Sequence, residues 1–465
     1  KKREKEIYRF VKKSEYGRIS VSLTITPAPL QDKYLLSFAQ TRLWFLNQLE
    51  PDNPFYNIPS AQTLKGPLNT EALEKAFNTL TQRHASFRTS FIQEEGTPYQ
   101  VIEDEIKIDI PITDLSELPQ DKREEEARRL AEEDARTPFD LTHAPLLRVK
   151  LIKLGDTDHA LLINMHHIIS DGWSMGIFNN ELTTLYNAFS QGKDNPLTPL
   201  KLQYHDYTLW QREQLEGEIL KTQEDYWKSK FQGELPILNL PTDHPRPPVM
   251  TYKGATEYFG LSKDLTSKLK DLSLKHNTTL FMTLLTAFNI LLSRYSNQED
   301  IIIGSPIANR HYNDTEPIIG FFVNTLALRT DLSGNPTFTE LLNQVRLNSL
   351  DAYKHQDYPF EQLVEVLNPP RDMSRSPLFQ VMFALQNAPR SNESLEGLKM
   401  SGIGGNYQVS RFDLAALTWE TNDRLFLAFE YYTDIFSSST IQRMMNHFKE
   451  LLEVIIKNPD QTISD

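Results

Sequence analysis

Seven consecutive residues, His166-His167-Ile168-Ile169-Ser170-Asp171-Gly172, bring together two imidazoles, a carboxylate and a glycine. A neutral imidazole at a cavity wall suits work on an amine or alcohol nucleophile, because it can accept the proton released as the nucleophile attacks an acyl carbon. Acyl transfer is therefore the chemistry expected of this run. Adjacent residues of a strand point to opposite faces, so His166 and His167 cannot both face one reactant. One should line a cavity while the other is locked into the scaffold. The same geometry disfavours metal: adjacent strand histidines chelate one ion poorly, and no Glu-x-x-His or cysteine set assists them. Asp171 falls in the turn after the strand, where a carboxylate more naturally fixes backbone geometry or pairs with an arginine than relays protons. Gly172 permits a positive φ and leaves the neighbouring amide unobstructed. The bland alternative is a buried histidine pair satisfied by the backbone, which the full run of seven makes the weaker reading.

Other chemistries lack their residues. No Gly-x-Ser-x-Gly elbow is present, and Ser170 and Ser174 lie in the turn itself. Neither a Gly-x-x-x-x-Gly-Lys phosphate loop nor a Gly-x-Gly-x-x-Gly fingerprint appears, so nucleotide chemistry is not expected here.

The elements around the run must form a rigid frame. Ala160 to His167 reads as a strand apolar on both faces, through Leu161, Leu162, Ile163 and Met165, hence central in a sheet. After Asp171-Gly172 the period becomes helical, with Phe178, Leu182, Leu185 and Phe189 on one side and Ser174 as a candidate cap. Upstream, Thr70 can cap a helix carrying Leu73, Phe77 and Leu80, and Phe87 to Phe91 follows as a strand. Pro236, Pro241, Pro245, Pro247 and Pro248 interrupt both helix and strand, marking a linker over 231–253. Beyond it the recipe repeats: a helix through Leu280, Leu284, Phe288 and Leu291, a strand from Asp300 to Pro306, and a helix through Phe338, Leu341, Leu342 and Val345. A last helix runs from about Thr440 to Lys457. The expectation is an α/β protein of two related lobes, 25–230 and 254–465, preceded by a linker segment over 1–24.

Composition narrows the class. A chain of 465 residues is long for one core and comfortable as two. Acidic residues outnumber basic ones 62 to 49, so nucleic acid is not an expected partner. No apolar run reaches the length of a bilayer crossing and no secretion signal is recognisable, so no membrane partner is expected either. The chain has no cysteine, which excludes disulfides, thiolate metal sites and cysteine nucleophiles and makes a cytoplasmic home the default. The charged stretch over residues 1–13 and the polar tail after Asn458-Pro459 suggest a piece of a larger polypeptide.

At the histidine run the sequence closely resembles the condensation domains of nonribosomal peptide synthetases, of the chloramphenicol-acetyltransferase-like fold, whose central motif is His-His-x-x-x-Asp-Gly. Further runs follow in the family's order. Ser37-Phe38-Ala39-Gln40-Thr41-Arg42-Leu43-Trp44 resembles the opening motif. Arg83-His84-Ala85-Ser86-Phe87-Arg88-Thr89 resembles the second, with Ala85 where Glu is usual. Tyr204-His205-Asp206-Tyr207-Thr208-Leu209-Trp210, Ile319-Gly320-Phe321-Phe322-Val323-Asn324-Thr325, His355-Gln356-Asp357-Tyr358-Pro359-Phe360-Glu361 and the run from Arg371 to Gln380 complete the series. Arg411-Phe412-Asp413-Leu414 fits less diagnostically.

The resemblance implies two lobes forming a V around a central tunnel, with peptide-bond formation between a donor aminoacyl or peptidyl thioester and an acceptor aminoacyl thioester. Both would ride on the 4'-phosphopantetheine of upstream and downstream peptidyl carrier domains, beside an adjoining adenylation domain, with no cofactor bound by the chain itself. It places His167 on the tunnel as the catalytic residue, with His166 and Gly172 supporting. Asp171 becomes structural, paired with an arginine among Arg310, Arg83 and Arg88. Ser174, Tyr204, Trp210, Asn324 and Thr325 are the expected tunnel wall. Intact His166 and His167 argue against heterocyclising relatives and against partner-recruiting relatives that lose a histidine. The opening and His355 to Glu361 runs favour peptide-bond formation over epimerisation, and Ser37 to Gln40 with Tyr56-Asn57-Ile58-Pro59 resembles the subclass taking an L-configured donor. A freestanding acyl-CoA-dependent acyltransferase of the same fold, or a non-catalytic docking module, are the alternatives.

Overall fold

A computed structural model describes residues 24–370, 372–386, 394–403 and 409–465. The charged stretch over residues 1–13 and Arg371 lie outside the described residues.

The first half is organised around one buried strand. Asp158–His166 is buried at every position after the first, because it lies between Asn57–Lys65 and Leu147–Gly155, both antiparallel to it. This strand is the third of five in a sheet completed by Lys399–Gly402 at one edge and Ile112–Asp114 at the other. It ends one residue earlier than the sequence suggests. His167–Ile169 forms a short 3-10 turn, closed by the Ile168 N–H donating to Nδ1 of His166. Two other boundaries also move. Asn69, not Thr70, caps helix Thr70–Arg83, its side chain accepting from Ala72 N–H. Ala85–Arg88 is a 3-10 turn, and the strand begins only at Thr89.

The second half carries a six-stranded sheet in the spatial order Asn324–Asp331, Asp300–Ile307, Val381–Gln386, Leu414–Thr421, Arg424–Tyr432, Gly254–Gly260. Helix Leu280–Ser296 is its spine: every residue from Met282 to Leu292 is buried, as expected for a helix apolar all round. Helices Phe338–Lys354 and Ser438–Lys457 share the same core. The proline-rich stretch is not a free linker, since Phe231, Leu238, Leu240 and Met250 are buried in that core too.

Nor is the second half self-contained. Lys399–Gly402 pairs with Asn57–Lys65 of the first sheet, and Leu395, Leu398 and Ile319 are buried in the first core. A small cluster at the seam mixes Tyr204, Tyr207 and Trp210 with Tyr312, Ile318 and Phe322. The chain is thus an α/β pair of lobes sewn together at several places, and the histidine run sits at the seam.

Candidate active site

His167 is the one residue between His159 and Asp171 that is not buried. It owes this to the 3-10 turn, which lifts it out of the strand. Its Nδ1 lies 2.8 Å from the Ser170 carbonyl. A carbonyl only accepts, so Nδ1 carries the proton and Nε2 presents a lone pair. His166 is 3% exposed and has the opposite tautomer, because its Nδ1 accepts from Ile168 N–H at 3.1 Å. Its ring packs against Tyr56 and Phe139. The expectation of one free and one locked histidine thus has a tautomeric counterpart. The edge of Phe321, from the second half, meets the His167 ring at 5.0 Å between centroids.

Both imidazoles are held neutral. Burial, with smaller contributions from the neighbouring ring and the Arg411 charge, pushes His166 down to about 3. His167 keeps some exposure, yet dense surrounding protein makes loss of hydration the main influence on it too. Burial first and Arg411 second push it down to about 4, opposed by the Asp171 charge and the bond to Ser170.

Asp171 does the anchoring. It is the cap of helix Gly172–Ser190: Oδ1 accepts from Ser174 N–H at 2.8 Å and from Arg310 Nη2 at 3.2 Å, and Oδ2 accepts from Phe322 N–H at 2.9 Å. Ser174, expected as the cap, is instead the third helical residue; a carboxylate outcompetes it by serving the helix and the arginine together. Arg310 also donates to the carbonyls of Thr315 and Ile318, each at 2.6 Å, and to Ser174 Oγ at 2.7 Å. The pair is essentially dry, at 1% and 0% side-chain exposure. A buried ion pair persists only when its remaining donors and acceptors are largely met; here they are met from both lobes at every position but Arg310 Nε, which is buried without a partner. Gly172 takes no positive φ. It is the exposed first residue of its helix, and a Cβ there would meet nothing within 4 Å.

Of the three arginine candidates, Arg310 is the partner of Asp171. Arg83 clasps Glu181 through Nε at 3.0 and 3.1 Å and donates to the Thr198 carbonyl. Arg88 donates to the carbonyls of Thr81, Gln82, Glu103 and Asp104. Both brace the first lobe away from the histidines.

The expected tunnel wall is largely scaffold. Ser174 is 0% exposed, and its Oγ donates to the Gly320 carbonyl at 2.8 Å while accepting from Gly320 N–H. Tyr204 is 2% exposed and donates to the Phe321 carbonyl at 2.5 Å. Its ring lies so near Gly320 that a Cβ there would overlap it. Asn324 bridges backbone groups, donating to the Gln356 and Tyr358 carbonyls and accepting from Phe360 N–H. Trp210 packs against Tyr312 in the seam cluster. Thr325 keeps partial exposure. The polar atoms of Ser174 and Tyr204 are used to join the lobes, and those of Asn324 to tie a loop of its own lobe.

The family model for the condensation domain matches residues 30–465. This chain belongs to the condensation-domain family. A linear gramicidin synthase of Brevibacillus parabrevis is 48% identical over 450 residues, covering 96% of this chain and 9% of that protein. Surfactin synthase subunit 1 of Bacillus subtilis (strain 168) is 43% identical, covering 95% of the chain and 12% of that protein. The condensation domain thus spans about a tenth of the length of these relatives. Among solved structures, the X-domain in its complex with OxyB from teicoplanin biosynthesis superposes with a TM-score of 0.85 at 27% identity, covering 95% of this chain and 97% of that one. A four-domain nonribosomal peptide synthetase bound to AMP and glycine superposes at 0.81 and 23% identity, covering 94% and 34%.

Three contributors to the condensation-domain site had no role assigned from sequence. Gln40 donates to the Ile168 carbonyl at 3.2 Å and fixes the 3-10 turn. Phe321 walls the imidazole, and Arg411 charges its surroundings. Each lay within a run that resembles the family, but a role depends on which backbone it meets across the seam.

Proposed function

We propose that this condensation domain forms a peptide bond between a donor aminoacyl or peptidyl thioester and an acceptor aminoacyl thioester, each on the 4'-phosphopantetheine arm of a carrier domain. The observation that carries the reading is the neutral, partly exposed His167, with its Nε2 lone pair free at the seam between the lobes. In the reaction the acceptor amine nitrogen bonds to the thioester carbonyl carbon, the carbon–sulfur bond breaks, and the nitrogen's proton passes through Nε2 to the departing thiolate. A ring held near 4 is a weak base at neutral pH. His167 therefore orients the amine first and takes the proton once attack has made that nitrogen acidic. Tethering both reactants replaces two encounters with one alignment, which offers a larger rate gain than the imidazole alone.

The relatives named as gramicidin and surfactin synthases support substrates on carrier arms, upstream and downstream carrier partners and an adjoining adenylation domain. We read residues 25–230 and 254–465 as the lobes, the seam at His167 as the tunnel, the donor as L-configured and the protein as cytoplasmic. Among the described residues no helix is long and apolar enough to cross a membrane.

His167→Ala, assayed with aminoacyl-loaded carriers, is expected to lose ~10²–10⁴-fold in dipeptide formation. Turnover within a few-fold of the parent would remove the chemical role of His167. Efficient turnover of acyl-CoA without any carrier would favour the freestanding acyltransferase instead.

A further inference from the structure

One bond fixes one point of the His167 ring. The Ser170 carbonyl holds Nδ1 at 2.8 Å, which by itself lets the imidazole pivot about that atom and swing Nε2. A second contact is needed to set the ring plane. Phe321 makes it, edge-to-face, with centroids 5.0 Å apart and planes at 68°. Phe321 comes from the second lobe, so its place against the imidazole depends on how its backbone is carried across the seam.

That backbone is held at four successive residues. Ile319, Gly320, Phe321 and Phe322 belong to no helix or strand, and all but Phe321 are buried, so their polar groups need partners from elsewhere. First-lobe side chains supply them one by one. Ser86 Oγ donates to the Ile319 carbonyl at 2.7 Å. Ser174 Oγ brackets Gly320, donating to its carbonyl at 2.8 Å and accepting from its N–H at 3.1 Å. The Tyr204 hydroxyl donates to the Phe321 carbonyl at 2.5 Å, and Asp171 Oδ2 accepts from Phe322 N–H at 2.9 Å. Glycine is required in this strap, since a Cβ at 320 would stand 2.0 Å from the Tyr204 ring. The strap is gripped on both sides of Phe321, whose ring stays half-buried beside the imidazole.

The same grip reaches the other side of the contact. The Phe321 carbonyl only accepts, so the Tyr204 hydroxyl gives its proton there and accepts from Ser37 Oγ at 2.8 Å. Ser37 Oγ in turn accepts from Gln40 N–H, and Gln40 Nε2 donates to the Ile168 carbonyl in the turn that bears His167. Imidazole and phenyl ring are therefore located by one closed circuit of bonds.

We propose that Phe321 is a positioning residue for the reaction: the strap over residues 319–322 lays its ring edge-on to the His167 imidazole, which fixes the imidazole plane and keeps Nε2 aimed at one point of the seam. Phe321 takes no part in the chemistry and acts only through His167. Without it the Ser170 bond alone would let Nε2 sweep an arc, and a displacement of about 1 Å can cost on the order of 10²-fold in rate.

The inference rests on the condensation reading for its kinetics and on geometry alone for the ring, so both are measured on the same variants. NMR on ring-labelled histidine follows the tautomer and line widths of His167, whose signals are assigned by their absence from His167→Ala. Dipeptide formation on loaded carriers gives kcat and KM. Phe321→Leu keeps an apolar side chain and removes the ring. It is expected to broaden the His167 signals and to lower kcat ~10-fold or more, with KM within ~2-fold of the parent. Phe321→Tyr, which keeps the ring, is expected to restore sharp signals and rate. Tyr204→Phe keeps every ring and removes one hydroxyl from the strap; a changed ring-current shift of the His167 ring protons is expected, with a smaller loss in kcat. If the Leu variant does not fold, Phe321→Met takes its place with the same expectations. Unbroadened signals in the ringless variant, an effect confined to KM, or equal losses in the Leu and Tyr variants would overturn the proposal and leave Phe321 a wall. A parent protein that forms no peptide would sink the condensation reading, while the NMR comparison would still decide whether Phe321 holds the ring.

Discussion

Three residues separate His167 from Asp171, yet these two points of the run are built on opposite plans. At His167 the polar atoms are sparingly used: one ring nitrogen is bonded and the other is free. At Asp171 both carboxylate oxygens are bonded, to its own helix, to Arg310 and to Phe322 N–H. The difference separates two duties. A group that must engage a transient partner needs an unused lone pair and some exposure. A group that must hold two lobes in register needs every bond filled and no water. The sealed end supplies the rigidity that lets the open end remain open.

The sharpest way to break this comparison is to remove each group in turn. Asp171→Ala leaves the Arg310 guanidinium buried without its anion and Phe322 N–H without an acceptor. A loss of ~3–5 kcal/mol in unfolding free energy is expected from denaturant titration. His167→Ala should cost under ~1 kcal/mol by the same measurement, because its ring makes one bond and is partly exposed. Equal losses would mean the two ends are not differently built. Next in size is Gly320→Ala. The new methyl would overlap the Tyr204 ring, and a loss of ~1–3 kcal/mol is expected, with the sheets themselves intact by circular dichroism.

Acid should act on the open end and on His166, and the sign follows from the lowered values. The unfolded chain protonates its histidines near pH 6.5, whereas the folded values are about 3 for His166 and about 4 for His167. Stability from these groups is fully present above the unfolded value. It falls as pH drops through 6.5, and keeps falling until each folded value is reached. Between about pH 7.5 and about pH 6 a loss of roughly 1 kcal/mol per histidine is expected. His167→Ala should remove its share of that slope, and peptide formation should show no titration of His167 between about pH 6 and about pH 8.

How far the residues alone foretell this picture differs between the same two ends. The buried strand, the following helix and the free-versus-locked histidines were legible because alternation and period report on one element at a time. Helix Leu280–Ser296 was equally plain, since Leu280, Leu284, Phe288 and Leu291 recur at helical spacing. The partner of Asp171 was not singled out. Arg83, Arg88 and Arg310 are chemically alike, and the choice depends on a fold that carries residues 310 and 322 across to residue 171. Ser174, Tyr204 and Asn324 misled for the same reason: their polar atoms are spent on backbone groups of the other lobe or of a distant loop. Strand Lys399–Gly402 could not be placed from its own four exposed residues, because its sheet is in the first lobe.

The smallest expected effect tests whether an arginine matters by being buried or by what it holds. Arg88, like Arg310, donates to several carbonyls, but it is only partly buried, and its donors go to backbone oxygens rather than to a carboxylate. Burial lowers its guanidinium from the usual value, with the Asp104 charge opposing. When Arg88→Ala removes the donors, water can reach the freed carbonyls of Glu103 and Asp104, so the bonds are exchanged rather than lost. Arg310→Ala offers no such exchange: Asp171 and the Thr315 and Ile318 carbonyls would face a dry gap. The expected loss is therefore ~1 kcal/mol or less for Arg88→Ala, against ~3–5 kcal/mol for Arg310→Ala. Thermal unfolding of the two variants side by side gives the ratio directly. An Arg88 variant as damaged as the Arg310 variant would show that the first lobe depends on its own brace as heavily as the seam depends on its ion pair.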